Sequence, residues 1–321
     1  MDRAAINVAK AAVGAAILIY LINFAGAGKL YDTLTSMKLA YLPPIIAVLL
    51  LSIAIRALNF KVLLLPHENK ERTFKLKSLV RISFISWAAG IFTPGKLGEF
   101  SSIYMLKKEG LDTSTSAAVS MLNKVLSTMA LFPFAIVGLV KFFGITESVH
   151  RLQIAAAIVA LTLVPYLMLT SARSRELMKK VFAKLIRRYE RQFAGFVDEL
   201  DNYLSRRRKL LLYSLALNFL WIAISSWLIV IAFAAFGQRV GFVNATLINS
   251  IGTVTSLIPV TIGGTGVREA TAIVFFGKVG ISSAVVLSSH IIMAALSFAF
   301  AGLVILASLF GKNRREGNSN R

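Results

Sequence analysis

The chain has 321 residues, 56% of them hydrophobic, with a mean hydropathy of +0.71, a composition that excludes an ordinary soluble domain and places it in a bilayer. Its 36 Lys and Arg against 15 Asp and Glu give a net charge of +21, but these residues cluster between apolar runs, where they report topology and not a nucleic-acid partner. Cysteine is absent, which excludes disulfides, thiolate metal sites and cysteine nucleophiles.

The first apolar run, 4–24, is preceded or entered only by Arg3 and Lys10 and lacks a small-residue cleavage site, so it reads as a retained span. Further runs at 39–62, 114–140, 152–170, 210–236 and 282–310 each approach the ~20 residues a helix needs to cross ~30 Å of hydrocarbon. About six crossings result, which puts both termini on one side. Segments 66–78, 107–108, 171–209 and the tail 312–321 hold most of the basic residues, while the alternate connections carry only Lys29, Lys38, Arg151 and Arg239. The positive-inside bias makes the basic set, and both termini, cytoplasmic.

Two apolar regions are too broken to cross. Residues 79–110 are interrupted at Thr93, Pro94 and Gly95, and residues 244–280 at Pro259, Gly263, Gly264 and Gly266. The arms of the first are about 14 residues, or ~21 Å, too short for a span. Both read as re-entrant helical hairpins. Irregular backbone at membrane depth must be buried in protein or line a wet cavity, so the breaks predict a cavity. The regions also repeat: eleven residues separate Glu99 from Gly110 and Glu269 from Gly280, and a Ser/Ala-rich helix follows each. The expected topology starts the first hairpin inside and the second outside. The expectation is thus an all-α polytopic fold, one transmembrane domain over 1–311, with inverted repeats over about 39–142 and 210–310 and a substrate site at their interface.

Between the repeats, Met178, Phe182, Leu185, Tyr189, Phe193, Phe196, Leu200 and Tyr203 recur at helical spacing, with twelve Lys and Arg between Arg173 and Lys209. This predicts a cytoplasmic amphipathic helix over about 173–206, lying on the anionic leaflet or against the bundle in preference to reading a specific headgroup. Asp198 and Asp201 within it read as solvated rather than metal-ligating.

Arg268 and Glu269 stand out in the apolar C-terminal third, since burying each costs at least ~2.5 kcal/mol unless it is paired or faces water. One reading is a salt bridge that pins the hairpin. The other uses Gly263, Gly264 and Gly266, which open the start of a half-helix so that backbone N–H groups can approach an anion. Arg268 would then offer a donor fork to phosphate oxygens, with Glu269 orienting that fork or taking up a proton. The first hairpin carries a shorter counterpart in Pro94, Gly95, Lys96, Gly98 and Glu99, where capping of the following helix rivals a binding role for Glu99. Lys124, after Asn123, either faces the cavity or snorkels. Arg56 and Arg81 read as snorkelling or headgroup-binding, and Asn218 and His290 as interhelical hydrogen-bonding residues.

Enzyme signatures are missing. "GAGK" at 26–29 lacks the spacing and hydroxyl of a nucleotide loop, and His67, His150 and His290 are scattered, so no metal, cofactor or catalytic residue is expected.

At "PGKLGE" (94–99) and "GGTGVREA" (263–270) the chain resembles the flippase-like family that includes the transmembrane region of lysylphosphatidylglycerol synthases, of the multiple peptide resistance factor type. It departs from that pattern at Ser102, where an arginine is common, and at Asn123 and Lys124, where a Glu-Arg pair is common. The resemblance implies a translocase, standing alone without the synthase domain, that moves a phosphate-bearing lipid between leaflets. Two substrate classes fit, a phospholipid, aminoacylated or not, and a polyprenyl or dolichyl phosphate carrier. The expected partners are therefore anionic lipids, with a proton or sodium ion as a coupling ion through Glu99 and Glu269, or no coupling at all. The rival readings are a membrane enzyme or accessory of headgroup or lipid-linked glycan modification, and a scaffold whose hairpins only pack.

Overall fold

The computed structural model describes residues 3–69, 72–144 and 195–319. Among the described residues it is helical throughout, with no strand. Helix α1 (Arg3–Ala25) leads into α2 (Ala27–Thr35) through a bend of 80° at Gly26, so the first apolar run is one limb of a broken pair. Four stretches are long and apolar enough to cross a membrane. They are Leu39–His67 around α3 (Leu42–Leu64), α6 (Thr113–Phe143), α8 (Arg208–Ala235) and the first part, Ser283–Phe300, of α11 (Ser283–Ser319). The protein is a multi-pass membrane protein. The expected span at 152–170 and the 173–194 part of the amphipathic helix lie outside the described residues.

Both broken regions fold as helix, break, helix. In the first, α4 (Leu76–Ile91) turns through a 3-10 segment (Leu97–Phe100) into α5 (Ser101–Lys108); in the second, α9 (Phe242–Thr255) turns into α10 (Val267–Gly277). At 16 residues α4 reaches only about 24 Å, so no arm crosses alone. The two tips meet. Pro94 and Ile262 form an antiparallel bridge, and the Gly263 N–H donates to the Thr93 carbonyl at 3.0 Å. Only glycine fits there, because Gly263 has φ 63° and a Cβ would overlap the Ile91 carbonyl. Lipid could not satisfy the Gly263 N–H, so the other tip does.

The eleven-residue correspondence is also structural. Gly110 (φ 94°) and Gly280 (φ 84°) end α5 and α10 in the same way, with the Leu111 N–H bonding to Leu106 (3.3 Å) and the Ile281 N–H to Phe276 (3.1 Å). A side-chain cap then starts the next helix in each case. Asp112 accepts from the Thr115 N–H at 2.9 Å, and Ser282 from the Val285 N–H at 3.4 Å.

Two apolar clusters hold the hairpins. One joins Leu63 and Leu64 of α3, Leu79 and Ile82 of α4, Leu106 and Leu122; the other joins Phe233 of α8, Ile248 of α9, Phe276 of α10 and Val286 of α11. Helix α7 (Phe196–Arg206) buries Phe196, Leu200, Tyr203 and Leu204 in the first cluster, so this part of the amphipathic helix lies against the bundle. The Tyr203 hydroxyl donates to the Leu63 carbonyl and lies 3.1 Å from His67 Nε2.

Candidate functional site

Where the hairpin tips meet, helices α1, α3, α4, α6, α8, α9, α10 and α11 enclose a cavity of about 710 Å³. Its wall is largely apolar, yet it holds the side chains of Lys10, Arg56, Lys96, Lys124 and Arg268 against those of Glu99 and Glu269. Among the described residues, five cations face two carboxylates, a balance of +3. In a low-dielectric surround such an excess is costly unless water or an anion answers it.

One pole is built around Glu99, which follows the first break. Lys124 of α6 donates to Glu99 Oε2 at 2.7 Å, and the Arg56 guanidinium lies 4.0 Å from Oε1. Arg56 also stacks over the Trp221 ring at 5.4 Å. One turn along α3 and beside Lys124, Asn59 donates to Asn123 at 2.8 Å, which fixes the facing surfaces of α3 and α6. Lys96 sits at the tip itself. With φ 58° it is the non-glycine residue of left-handed conformation among the described residues, a placement that costs about 1–2 kcal/mol.

The other pole belongs to the second hairpin. Arg268 reaches Asn249 Oδ1 of α9 only at 3.5 Å, and no described carboxylate lies within ion-pair distance of it. Glu269 turns back and accepts from the Gly266 N–H at 2.7 Å, capping α10. His290 of α11, 9% exposed, lines the same space, and its Nδ1 has no hydrogen-bond partner among the described residues.

These placements redistribute the roles expected from sequence. Arg268 and Glu269 do not pair, since neighbours on a helix point about 100° apart and each finds a different partner. Capping, expected as the rival role of Glu99, is performed by Glu269, while Glu99 sits in an ion-paired cluster. The backbone cradle is largely occupied: the N–H groups of Gly263, Thr265 and Gly266 bond to Thr93, Ile262 and Glu269. Gly263 and Gly264 still line the cavity, whereas Pro94 and Gly95 belong to the junction, and Gly98 and Gly266 pack against Ala89 and against Gly14 and Ile17 of α1, none of the four on the wall. Gly98 has its own packing reason, because a Cβ there would overlap the Ala89 carbonyl.

Lys124 faces the cavity and does not snorkel, and Arg56, read as snorkelling or headgroup-binding, joins it there together with Lys10. Arg81 pairs with Glu109 at 3.0 Å outside it. Asn218 lines the cavity but donates to the Ser214 carbonyl of its own helix, at 2.9 Å, in place of an interhelical partner. Asn249 and His290 carried no motif. Their signal was only that of polar residues on apolar helices.

A family model described as the lysylphosphatidylglycerol synthase TM region matches residues 7–305. The chain is also similar to a protein of Methanothermobacter thermautotrophicus described as a UPF0104 membrane protein, with 22% identity over 328 residues and 95% of each chain covered.

Proposed function

The chain belongs to the family of the lysylphosphatidylglycerol synthase TM region, and from that membership we propose that its central cavity receives the phosphate of a membrane lipid and passes it between the two leaflets. The observation that carries this reading is the +3 balance of side-chain charge inside a largely apolar wall. An anionic headgroup on an apolar tail answers both properties, with the headgroup in the cavity and the tail left in lipid. Arg268 offers donors that no described carboxylate has claimed, Lys96 adds a charge at the hairpin junction, and Glu99 offsets part of the charge of Arg56 and Lys124 at the other pole.

The hairpins approach from opposite faces in this reading, as inverted repeats, with both termini on the cytoplasmic side of the cell membrane. The headgroup belongs to a phospholipid, aminoacylated or not, or to a polyprenyl or dolichyl phosphate carrier. Movement is driven by the lipid gradient or by a proton or sodium ion acting at Glu99 and Glu269. The activity is translocation and not headgroup chemistry.

The test is reconstitution. Proteoliposomes carrying fluorescent phospholipid or polyprenyl phosphate analogues should equilibrate them across the bilayer, and Arg268→Ala should lower the rate by tenfold or more. Equal rates for both proteins would remove the cavity from the reading. Conversion of the headgroup in detergent, where no leaflets exist, would replace translocation by an enzymatic function.

A further inference from the structure

Resting on the cavity reading above, we propose that the site selects a dianionic phosphate monoester on an apolar tail over the monoanionic phosphodiester of common phospholipids. The argument is the arrangement of charge within the cavity. Arg56 and Lys124 share Glu99, at 4.0 and 2.7 Å. Lys96 and Arg268, like Lys10 of α1, have no described carboxylate within ion-pair distance. Lys96 and Arg268 come from the two hairpins, whose tips meet where Pro94 bridges Ile262, and both line the cavity.

Two unanswered cations across one junction repel, and a ligand that places a full charge against each removes the repulsion. A phosphodiester carries one charge and leaves one cation unanswered; a phosphate monoester carries close to two near neutral pH, on three terminal oxygens. Arg268 can take two of those oxygens with its planar fork while Lys96 takes the third as a point charge. The backbone adds a second observation. Lys96 occupies a left-handed position where glycine would be at ease, so the junction holds a cation at conformational expense beside the cavity.

The measurement uses the purified full chain in detergent and reads the fluorescence of Trp87 and Trp221, which lie on the cavity wall, over a background from the half-exposed Trp227. Farnesyl phosphate, its methyl ester, farnesyl diphosphate and inorganic phosphate are titrated in parallel. Farnesyl phosphate should bind at least about tenfold more tightly than its methyl ester, and more tightly than inorganic phosphate. Lys96→Gly, which removes the charge and suits the left-handed backbone, should bring the two esters within about threefold of each other, as should Arg268→Gln.

Equal affinity of the wild type for monoester and methyl ester would overturn this selectivity while leaving a phosphate-lipid site in place. A diphosphate bound tenfold more tightly than the monoester would overturn it in favour of a more highly charged ligand. Inorganic phosphate bound as tightly as farnesyl phosphate would overturn the lipid as its source. Failure of all four probes, with the protein monodisperse, would overturn the phosphate reading beneath it.

Discussion

Glu99 and Lys124 lie 2.7 Å apart at the wall of the central cavity, although one follows the break of a hairpin and the other sits inside a crossing helix. Their side chains are 17% and 22% exposed. Removing one partner of a fully buried pair costs ~3–5 kcal/mol. With this degree of exposure Lys124→Met should cost less, about 2 kcal/mol, seen as a lower midpoint of thermal unfolding in detergent. Glu99→Gln should cost as much or more, because it leaves both Arg56 and Lys124 without their carboxylate. The double variant should recover part of the loss but not transport.

Glu269 should behave differently, because its carboxylate caps a helix. Glu269→Gln keeps an acceptor for the Gly266 N–H and should leave stability nearly unchanged, while Glu269→Ala should cost about 1 kcal/mol. If the carboxylate also carries a coupling proton, transport by Glu269→Gln should lose its pH dependence while its stability holds. Parallel unfolding and flux measurements separate the two roles.

Gly263→Ala should be among the most damaging single substitutions, above about 3 kcal/mol or preventing folding. The added methyl meets the Ile91 carbonyl on a backbone already at φ 63°, at the contact that closes both hairpins. Gly277→Ala is the matched control, since a Cβ there meets nothing within 4 Å, and it should fold normally. Yield and monodispersity after purification distinguish them.

Glu199 of α7 accepts from Arg207 at 3.0 Å and lies 3.2 Å from His67 Nε2. The hydrogen bond from His67 holds the Glu199 carboxyl below its ordinary value of 4.5, with Arg207 adding to the effect against the opposing cost of burial. A depressed carboxylate stabilises the fold above its unfolded value, and that contribution is lost as pH falls through the folded value. Unfolding midpoints of the wild type should therefore fall more steeply below about pH 4.5 than those of Glu199→Gln. At neutral pH the variant should be the less stable by about 1–2 kcal/mol.

Much of the frame was legible because hydropathy and helix breakers are local quantities. The bilayer as solvent, the crossings at α3, α6, α8 and α11, the breaks at Pro94 and at Gly263 to Gly266, and the matching turns at Gly110 and Gly280 all follow from composition, run length and the left-handed preference of glycine. The candidacy of Arg268, Glu269, Glu99, Lys96 and Lys124 followed from the cost of charge at membrane depth. The tertiary structure alone decided which of these charges meet. Arg56 turns inward to Glu99, Glu269 caps its own helix, and Gly263 gives its N–H to the opposite hairpin, because partner choice depends on each helix's rotation and depth against its neighbours. Those are set by packing across the bundle, and a linear pattern of residue types does not carry them.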